Sequence, residues 1–186
     1  MDSRSDQDLI EQTAQGDTMA LKALYGRYEM PVYNLILRSA GNRELAQDLL
    51  QETFTRLWSM ARLFDPRRGS FKSWLYTIAL NLTRTEMSRK AHDMKSVSLD
   101  DIAPLHSDDP EVGAAVEREE LRNEVARMLD GLPPHFREVV VLKYYHHLQF
   151  DEISRMTGVP AGTLRARFHR AVDRLRSRVR LKDFAQ

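Results

Sequence analysis

The chain has 186 residues, a length that fits one medium domain or two small ones. Its 42% hydrophobic and 30% charged residues are the ordinary balance of a folded protein and exclude wholesale disorder. The absence of cysteine excludes disulfides, thiolate zinc sites and cysteine nucleophiles. No apolar run approaches the roughly 20 residues of a membrane helix, and no signal-peptide pattern opens the sequence, so we expect a cytoplasmic protein.

Charge is distributed unevenly along the chain, although the net charge is only +1. Residues 67–92 carry 6 basic and 1 acidic side chains, and residues 161–186 carry 8 and 2. Residues 93–111, which lie between these blocks, carry 1 basic and 6 acidic side chains. Two basic blocks predict two contacts with a polyanion, although each block could also be the solvated face of a helix.

Apolar residues that recur every three or four positions predict four helices in the first half of the chain. Gly16 is expected to end the first helix, and Asp17 is expected to cap the second. Pro31 lies inside the second helix and should kink or split it. Phe64–Ser70 contains a proline and a glycine and is predicted to be a loop. The predicted helices cover residues 6–15, 18–40, 43–62 and 71–90.

Residues 93–111 are rich in serine, proline and acidic residues and poor in apolar ones, which predicts a flexible linker. The linker divides the chain into a domain of residues 1–92 and a domain of residues 112–186. The predicted fold class is therefore all-α, with two small helical domains joined by a flexible acidic linker. The helices predicted in the second domain cover residues 112–130, 135–147, 150–157 and 162–179.

The end of the chain has the sequence form of a helix-turn-helix. A short helix is followed by a turn that contains Gly158 and Pro160, and then by a longer basic helix. His146 and His147 precede this motif and are expected to end a helix, where a cation near the negative pole is mildly favoured. Gln149 stands before the short helix and should cap it weakly.

The last predicted helix has an apolar side and a basic side at 100° per residue. Arginine can bridge O6 and N7 of guanine in the major groove, and a small residue lets the backbone approach base edges. Arg167 and Arg174 lie on the flank and suit phosphates. The alternative is an ordinary amphipathic surface helix, which the excess of basic side chains disfavours. The predicted base-reading residues are Arg165, Ala166, His169 and Arg170.

Several stretches together resemble the extracytoplasmic-function (group IV) sigma factors of the sigma-70 family. In the first half they are residues 16–28 (GDTMALKALYGRY), 46–58 (AQDLLQETFTRLW) and 71–81 (FKSWLYTIALN). In the second half the stretch is residues 150–171 (FDEISRMTGVPAGTLRARFHRA). The two halves are similar to sigma region 2, a helical bundle, and to sigma region 4, a helix-turn-helix domain.

This resemblance implies an alternative sigma factor that binds core RNA polymerase and directs promoter recognition, promoter melting and transcription initiation. The implied partners are the β′ clamp helices and the β flap of the core enzyme, promoter DNA, and an anti-sigma factor. The last helix would then read the −35 element. A polar stripe on the third helix would bind the clamp helices, although a solvated face is equally consistent with its spacing. The implied core-binding residues are Asp48, Gln51, Glu52 and Thr55.

The fourth predicted helix mixes aromatic and basic side chains, a combination that suits single-stranded DNA. The resemblance implies that the loop before it captures a base flipped out of the −10 element. Phe71 and Trp74 could equally be core residues, because they also follow a helical apolar pattern. The implied −10 residues are Arg67, Arg68, Lys72, Trp74, Asn81 and Arg84.

The sequence shows no P-loop, no Ser–His–Asp arrangement and no histidine spacing typical of a metal site. It therefore predicts neither an enzyme nor a cofactor. Two other functions remain open at this point. One is a stand-alone helix-turn-helix transcriptional regulator that dimerises on a palindrome. The other is a helical adaptor or decoy that mimics a sigma factor.

Overall fold

The computed structural model describes residues 3–93, 127–129 and 131–183, and their regular secondary structure is entirely helical. The chain divides into two compact units, which are described separately. These observations confirm the all-α prediction. The linker was predicted to begin at residue 93, but Asp93 is the last residue of a helix, so that boundary was wrong by one residue. The rest of the predicted linker, residues 94–111, and most of the helix predicted over residues 112–130 lie outside the described residues, while residues 127–129 are helical. No helix within the described ranges is long and apolar enough to cross a membrane.

The N-terminal unit is a bundle of four helices: α1 (Asp6–Ala14), α2 (Thr18–Ala40), α3 (Arg43–Met60) and α4 (Phe71–Asp93). The long helix α2 packs against each of the other three, because each helix has one apolar side that must be removed from water. Two short 3₁₀ helices, Ala61–Leu63 and Pro66–Arg68, join α3 to α4. The buried side chains include Leu9, Ile10, Leu24, Leu35, Ile36, Leu57, Leu75 and Tyr76.

Polar caps determine where α1 and α2 begin. The Ser5 hydroxyl accepts a hydrogen bond from the Asp8 amide at 3.1 Å, and the Asp8 carboxylate accepts one from the Ser5 amide at 3.0 Å. Gly16 follows α1 with a φ of +96°, a conformation that glycine adopts without strain. The Asp17 carboxylate then accepts from the first-turn amide of Met19 at 2.7 Å. The predicted end of the first helix and the predicted Asp17 cap are both confirmed.

Pro31 does not split α2, so that part of the sequence prediction was wrong. The helix runs unbroken from Thr18 to Ala40. Leu24 before the proline and Val32 and Leu35 after it are all completely buried. We infer that this packing offsets the backbone hydrogen bond that proline cannot donate.

A polar contact ties α1 to α2 beside the core. The Arg27 guanidinium and the Tyr28 hydroxyl both donate to the Asp6 carboxylate, and Arg27 also donates to the Arg4 carbonyl at 3.0 Å. Burial, together with the Asp6 carboxylate, raises the pKa of Tyr28 well above its usual value. Tyr28 therefore stays a hydrogen-bond donor at any physiological pH.

The C-terminal unit contains α5 (Pro134–Val140), α6 (Phe150–Thr157) and α7 (Ala161–Asp183). Helix α5 continues as a π-helical turn over Val141–Tyr145. His147 then takes a positive φ of 55°, which lets the Leu148 amide donate to the Leu142 carbonyl at 3.2 Å. The expectation that His146 and His147 end this helix is confirmed.

Two local features set up the predicted helix-turn-helix. Gly158 has a φ of +72° in the turn after α6, where a side chain would be strained. Gln149 does not cap α6 through its side chain, which instead accepts from Lys143 at 3.2 Å. The Glu152 carboxylate accepts from the Gln149 amide at 2.8 Å and supplies half of a capping box. The core beneath these helices includes Leu129, Leu132, Phe136, Val140, Ile153, Leu164 and Ala171.

Asp17→Ala removes the acceptor for the first-turn amides of α2 and should lower the free energy of unfolding of the N-terminal unit by about 0.5–2 kcal/mol. Chemical denaturation followed by circular dichroism measures this change. Lys22→Ala alters an exposed side chain of the same helix and is the control, with an expected effect within about 0.5 kcal/mol. Equal stability of the two variants would contradict the capping role.

Candidate nucleic-acid interface

Helix α7 presents a broad exposed surface opposite its buried side. Leu164 and Ala171 are buried, and Phe168 is half-buried on the same side. Because those residues face the core, the opposite side of the helix must face solvent. Arg167 is half-buried at the edge of this exposed surface. The exposed predicted residues are Arg165, Ala166, His169, Arg170 and Arg174.

A concave groove of about 480 Å³ lies between α7 and the start of α5. From α7 it is lined by Thr163, Ala166, Arg167 and Arg170, which follow one another at helical spacing. Arg167 therefore lines this groove together with Ala166 and Arg170, from its position at the edge of the exposed surface. The remaining lining residues are His135 and Phe136.

Two arginines of α7 lie over aromatic rings that belong to other helices. The Arg165 guanidinium carbon is 5.8 Å from the centroid of Phe150, the first residue of α6. The Arg174 guanidinium carbon is 5.0 Å from the centroid of Phe136 on α5. Both distances are within the range of cation–π contacts, so these arginines are held on opposite edges of the exposed surface.

The segment between α3 and α4 is more ordered than the predicted loop. Asp65 caps the short helix Pro66–Arg68, and its carboxylate accepts from the backbone amide of Arg67 at 3.0 Å. The Arg67 side chain also donates to both carboxylate oxygens, from Nε at 3.0 Å and from Nη2 at 3.1 Å. These hydrogen bonds hold the pKa of Asp65 below its usual value. The contact leaves Nη1 of Arg67 for another acceptor, and the Arg68 side chain is exposed.

An aromatic cluster connects this segment to α2 and α4. Phe71 is buried and contacts Tyr28 edge-on, with ring centroids 5.3 Å apart. Phe64 contacts Phe71 at 5.9 Å and Trp74 at 5.5 Å. Phe71 is thus a core residue, whereas Trp74 is half-buried and keeps part of its indole accessible.

Helix α4 brings together three of the predicted −10 residues but not a fourth. Trp74, Asn81 and Arg84 lie on one side of the helix, together with Thr77. Lys72 lies about 160° around the helix from Trp74 at 100° per residue. Its ammonium group is instead 5.5 Å from the ring centroid of the buried Tyr76.

The polar stripe on α3 is on the outside of the N-terminal unit, as its spacing predicts. Asp48, Gln51 and Thr55 are exposed, and Glu52 is half-buried. The Glu52 carboxylate accepts from Nε of Arg56 one turn later at 2.8 Å. The opposite side of α3 is buried through Leu45, Ala46, Leu49, Leu50, Thr53, Phe54 and Leu57.

Sequence reasoning missed three residues that complete these surfaces, one on α7 itself and two on other helices. Thr163 could have been found, because it is one turn before Ala166 and Arg167 on the same helical face. Phe136 and Phe150 carry no local signal of their contacts with α7, since those contacts exist only once the helices pack.

Comparisons with known proteins agree with this geometry in both halves of the chain. Residues 24–92 match the family model for Sigma-70 region 2, and residues 122–175 match the model for Sigma-70, region 4. The ECF RNA polymerase sigma factor SigW of Bacillus subtilis strain 168 is 33% identical over 178 residues, covering 92% of this chain and 95% of SigW. This chain belongs to the extracytoplasmic-function sigma factors.

Other similar proteins include longer ones. The ECF RNA polymerase sigma factor SigE of Mycolicibacterium smegmatis is 33% identical over 166 residues, or 88% of this chain. The chain spans 64% of the length of that relative.

Two solved structures share the fold of this sigma factor. CnrH in complex with the cytosolic domain of CnrY has a TM-score of 0.70 and 24% identity, and the match covers 96% of this chain and 99% of that one. The sigma factor RpoE in complex with the anti-sigma factor NepR, from Bartonella quintana, has a TM-score of 0.67 and 20% identity, with 86% and 96% covered.

Membership of the family establishes the general function. The protein is an alternative sigma factor that directs transcription initiation, and it is a regulator rather than an enzyme. Within the residues that the structure describes, no cluster of three or more His, Asp or Glu side chains could hold a metal ion.

Arg67→Ala should raise the pKa of Asp65 toward its usual value, because the variant loses the two side-chain hydrogen bonds that favour the carboxylate. In the wild type the ion pair persists at neutral pH and is lost only as the pH falls through the lowered pKa. NMR titration of the Asp65 side-chain carbon measures both values. Arg68→Ala removes only a weaker charge effect and should shift the midpoint less; equal midpoints in Arg67→Ala and the wild type would contradict the assignment.

Proposed function

We propose that this sigma factor contacts one promoter at two places while it is bound to core RNA polymerase. The N-terminal domain, residues 1–92, would bind the polymerase and the −10 element, and the C-terminal domain, residues 112–186, would bind the −35 element. The residues between the two domains would tether them, so that two weak contacts act together. The observation that best supports this proposal is the exposed basic surface of α7 opposite its buried side. Run-off transcription with and without added sigma factor tests it directly.

The outer stripe of α3 is the proposed surface for the clamp helices of the β′ subunit. Its acidic and amide side chains complement a basic partner, and such groups set binding register and association rate. The Glu52–Arg56 ion pair is exposed and weak, so it can be exchanged for contacts with a partner.

Asp48→Lys combined with Glu52→Lys should abolish binding to core polymerase without unfolding the protein, since both side chains are outside the core. Co-purification with core enzyme and thermal melting are the two measurements. Glu11→Lys reverses an exposed charge on α1 and is the control. If the double variant still co-purifies with the core enzyme, the stripe is not the polymerase surface.

The exposed side of α7 is the proposed reading surface for the −35 element. Arg165, His169, Ala166 and Arg170 would approach base edges in the major groove. Arg167 and Arg174 would bind phosphates, with Thr163 offering a hydroxyl in the groove beside Arg167.

Arg165→Ala should weaken recognition of the −35 element by about 1–3 kcal/mol and relax its specificity at one base. Transcription from promoters that differ only in the −35 element measures the loss. Arg176→Ala removes the same charge about three turns further along α7 and should leave base preference unchanged. Unaltered promoter selectivity of the Arg165 variant would count against this docking.

The segment before α4, together with the accessible face of that helix, is the proposed −10 surface. Arg67 and Arg68 supply exposed cations, and Trp74, which contacts Phe64 of the same segment, supplies a partly accessible aromatic side chain. Asn81 and Arg84 would extend the contact along the strand. We also include Lys72, which would reach DNA only from the other side of α4.

Arg67→Ala combined with Arg68→Ala should impair promoter opening more than closed-complex formation, because capture of a flipped base must offset a few kcal/mol of unstacking. Permanganate reactivity of the −10 thymines should fall, while closed-complex binding in gel shifts changes less. Arg89→Ala with Lys90→Ala removes two exposed cations from the far end of the same basic block and is the matched control. If the −10 thymines react with permanganate as strongly in the Arg67→Ala, Arg68→Ala variant as in the wild type, these arginines do not take part in promoter opening.

We further propose that an anti-sigma factor regulates this protein and that it acts in the cytoplasm with RNA polymerase. The support is the shared fold with a Bartonella quintana sigma factor that was solved in complex with its anti-sigma factor. Expression of a tagged form of this sigma factor in the native host, followed by affinity purification, tests whether an anti-sigma factor binds to it. A stand-alone regulator is not favoured, because it gives the region 2 half of the chain no role.

A further inference from the structure

Phe150 begins α6 at the surface of the C-terminal unit, and two cations from other segments lie near its ring. The Arg165 guanidinium carbon is 5.8 Å from the ring centroid, and the Lys143 ammonium nitrogen is 5.1 Å from it. A cation over an aromatic face within about 6 Å is attracted by the ring quadrupole. The ring is thus placed to restrict where the Arg165 side chain goes.

The ring itself is held in place by its surroundings. Phe168 on α7 contacts it edge-on, with centroids 5.9 Å apart and an angle of 71° between the planes. The Glu152 carboxylate caps the first turn of α6 by accepting from the Gln149 amide, which fixes the backbone next to the ring. Because Phe168 and the capped backbone hold the Phe150 ring in place, the ring can orient the flexible Arg165 side chain that lies near it.

The two cations near the ring are not equivalent. The Lys143 ammonium group also donates to the Gln149 side chain at 3.2 Å, so it has a second partner beside the ring. Arg165 has a planar group that can stack on the ring and still present hydrogen-bond donors at its edge. Arg165 is also one of the four predicted base-reading residues, and its side chain is exposed.

We propose that Phe150 is a positioning residue that pre-orients Arg165 for recognition of one base in the −35 element. This inference rests on the proposed docking of α7 in the major groove. A flexible arginine loses rotamer freedom when it forms a two-pronged contact with guanine, and a ring that restricts it beforehand reduces that loss. Phe150 then contributes to specificity through Arg165 and not through a base contact of its own.

The corresponding pair on the other edge of α7 is not suited to the same test. Phe136, under Arg174, is buried in the core cluster with Leu129, Leu132 and Val140. Truncating it would open a cavity and lower stability. Phe150 is only half-buried, so its replacement by leucine keeps most of the local packing.

The test uses holoenzyme assembled from the full chain and core RNA polymerase, on a promoter library randomised in the −35 element. Each promoter carries a distinct barcode in its transcribed region, because the −35 element itself is not transcribed. Sequencing of the barcodes in the transcripts gives the base preference at each position for the wild type, Phe150→Leu, Phe150→Tyr, Arg165→Ala and the Phe150→Leu, Arg165→Ala double variant. We expect Phe150→Leu to lose about two- to five-fold of the discrimination at the position that Arg165→Ala also affects. Phe150→Tyr keeps the aromatic ring and should retain the wild-type discrimination at that position.

The double variant decides whether Phe150 acts through Arg165. If it does, the double variant matches Arg165→Ala. If Phe150→Leu causes a further loss in the Arg165→Ala background, or if Phe150→Tyr is as impaired as Phe150→Leu, the positioning role is overturned. Normal discrimination by Phe150→Leu while Arg165→Ala loses it overturns this inference alone. Normal discrimination by Arg165→Ala overturns the proposed base contact, and the positioning role with it.

A measurement without DNA guards against a folding defect in Phe150→Leu. The ring should shift the side-chain proton resonances of Arg165 upfield in the wild type and in Phe150→Tyr, and the shift should vanish in Phe150→Leu while the melting temperature stays within a few degrees. Wild-type Arg165 resonances in a folded Phe150→Leu protein would overturn the contact.

Discussion

Burial of one side of α7 is the constraint on which the proposed DNA surface depends. The side chains of Leu164 and Ala171 are almost completely buried, and their burial fixes the rotation of α7 about its own axis. Once that rotation is set, the basic residues on the other side can only face outward. A turn built on Gly158 and a short helix capped by Glu152 then determine where the exposed end of α7 begins. The residues proposed to read DNA are thus positioned by apolar packing that has no sequence specificity of its own.

In the N-terminal unit, too, burial of apolar side chains determines which polar and basic side chains face solvent. Its central helix α2 remains continuous through Pro31 because apolar contacts surround it on the core side. Tyr28 links that core to the aromatic cluster of Phe64, Phe71 and Trp74. The segment that carries the exposed arginines is therefore joined to the core through aromatic contacts of Phe64, while the α3 stripe lies on a different helix. In the proposed function, this small bundle offers one surface to core polymerase and another to single-stranded DNA.

Both proposed DNA surfaces contain arginines whose position depends on a second residue. Asp65 holds Arg67 by two side-chain hydrogen bonds, and Phe150 and Phe136 lie under Arg165 and Arg174. Arginine is long and flexible, so an unrestrained one would lose more conformational freedom on binding. Contacts of this kind keep the charge available to a ligand while they reduce that loss.

The sequence alone predicted the seven α-helices that the structure describes, most of the side chains that face the core and where the basic charge accumulates. Helical periodicity, the Asp17 cap and the glycines at 16 and 158 are local signals, and short-range physics is enough to interpret them. Tertiary structure decided the rest. It formed the groove that Arg167 and Arg170 line together with the start of α5, and it brought Phe136 and Phe150 under arginines of α7. These outcomes depend on how helices distant in the chain pack together, which periodicity within one helix does not encode.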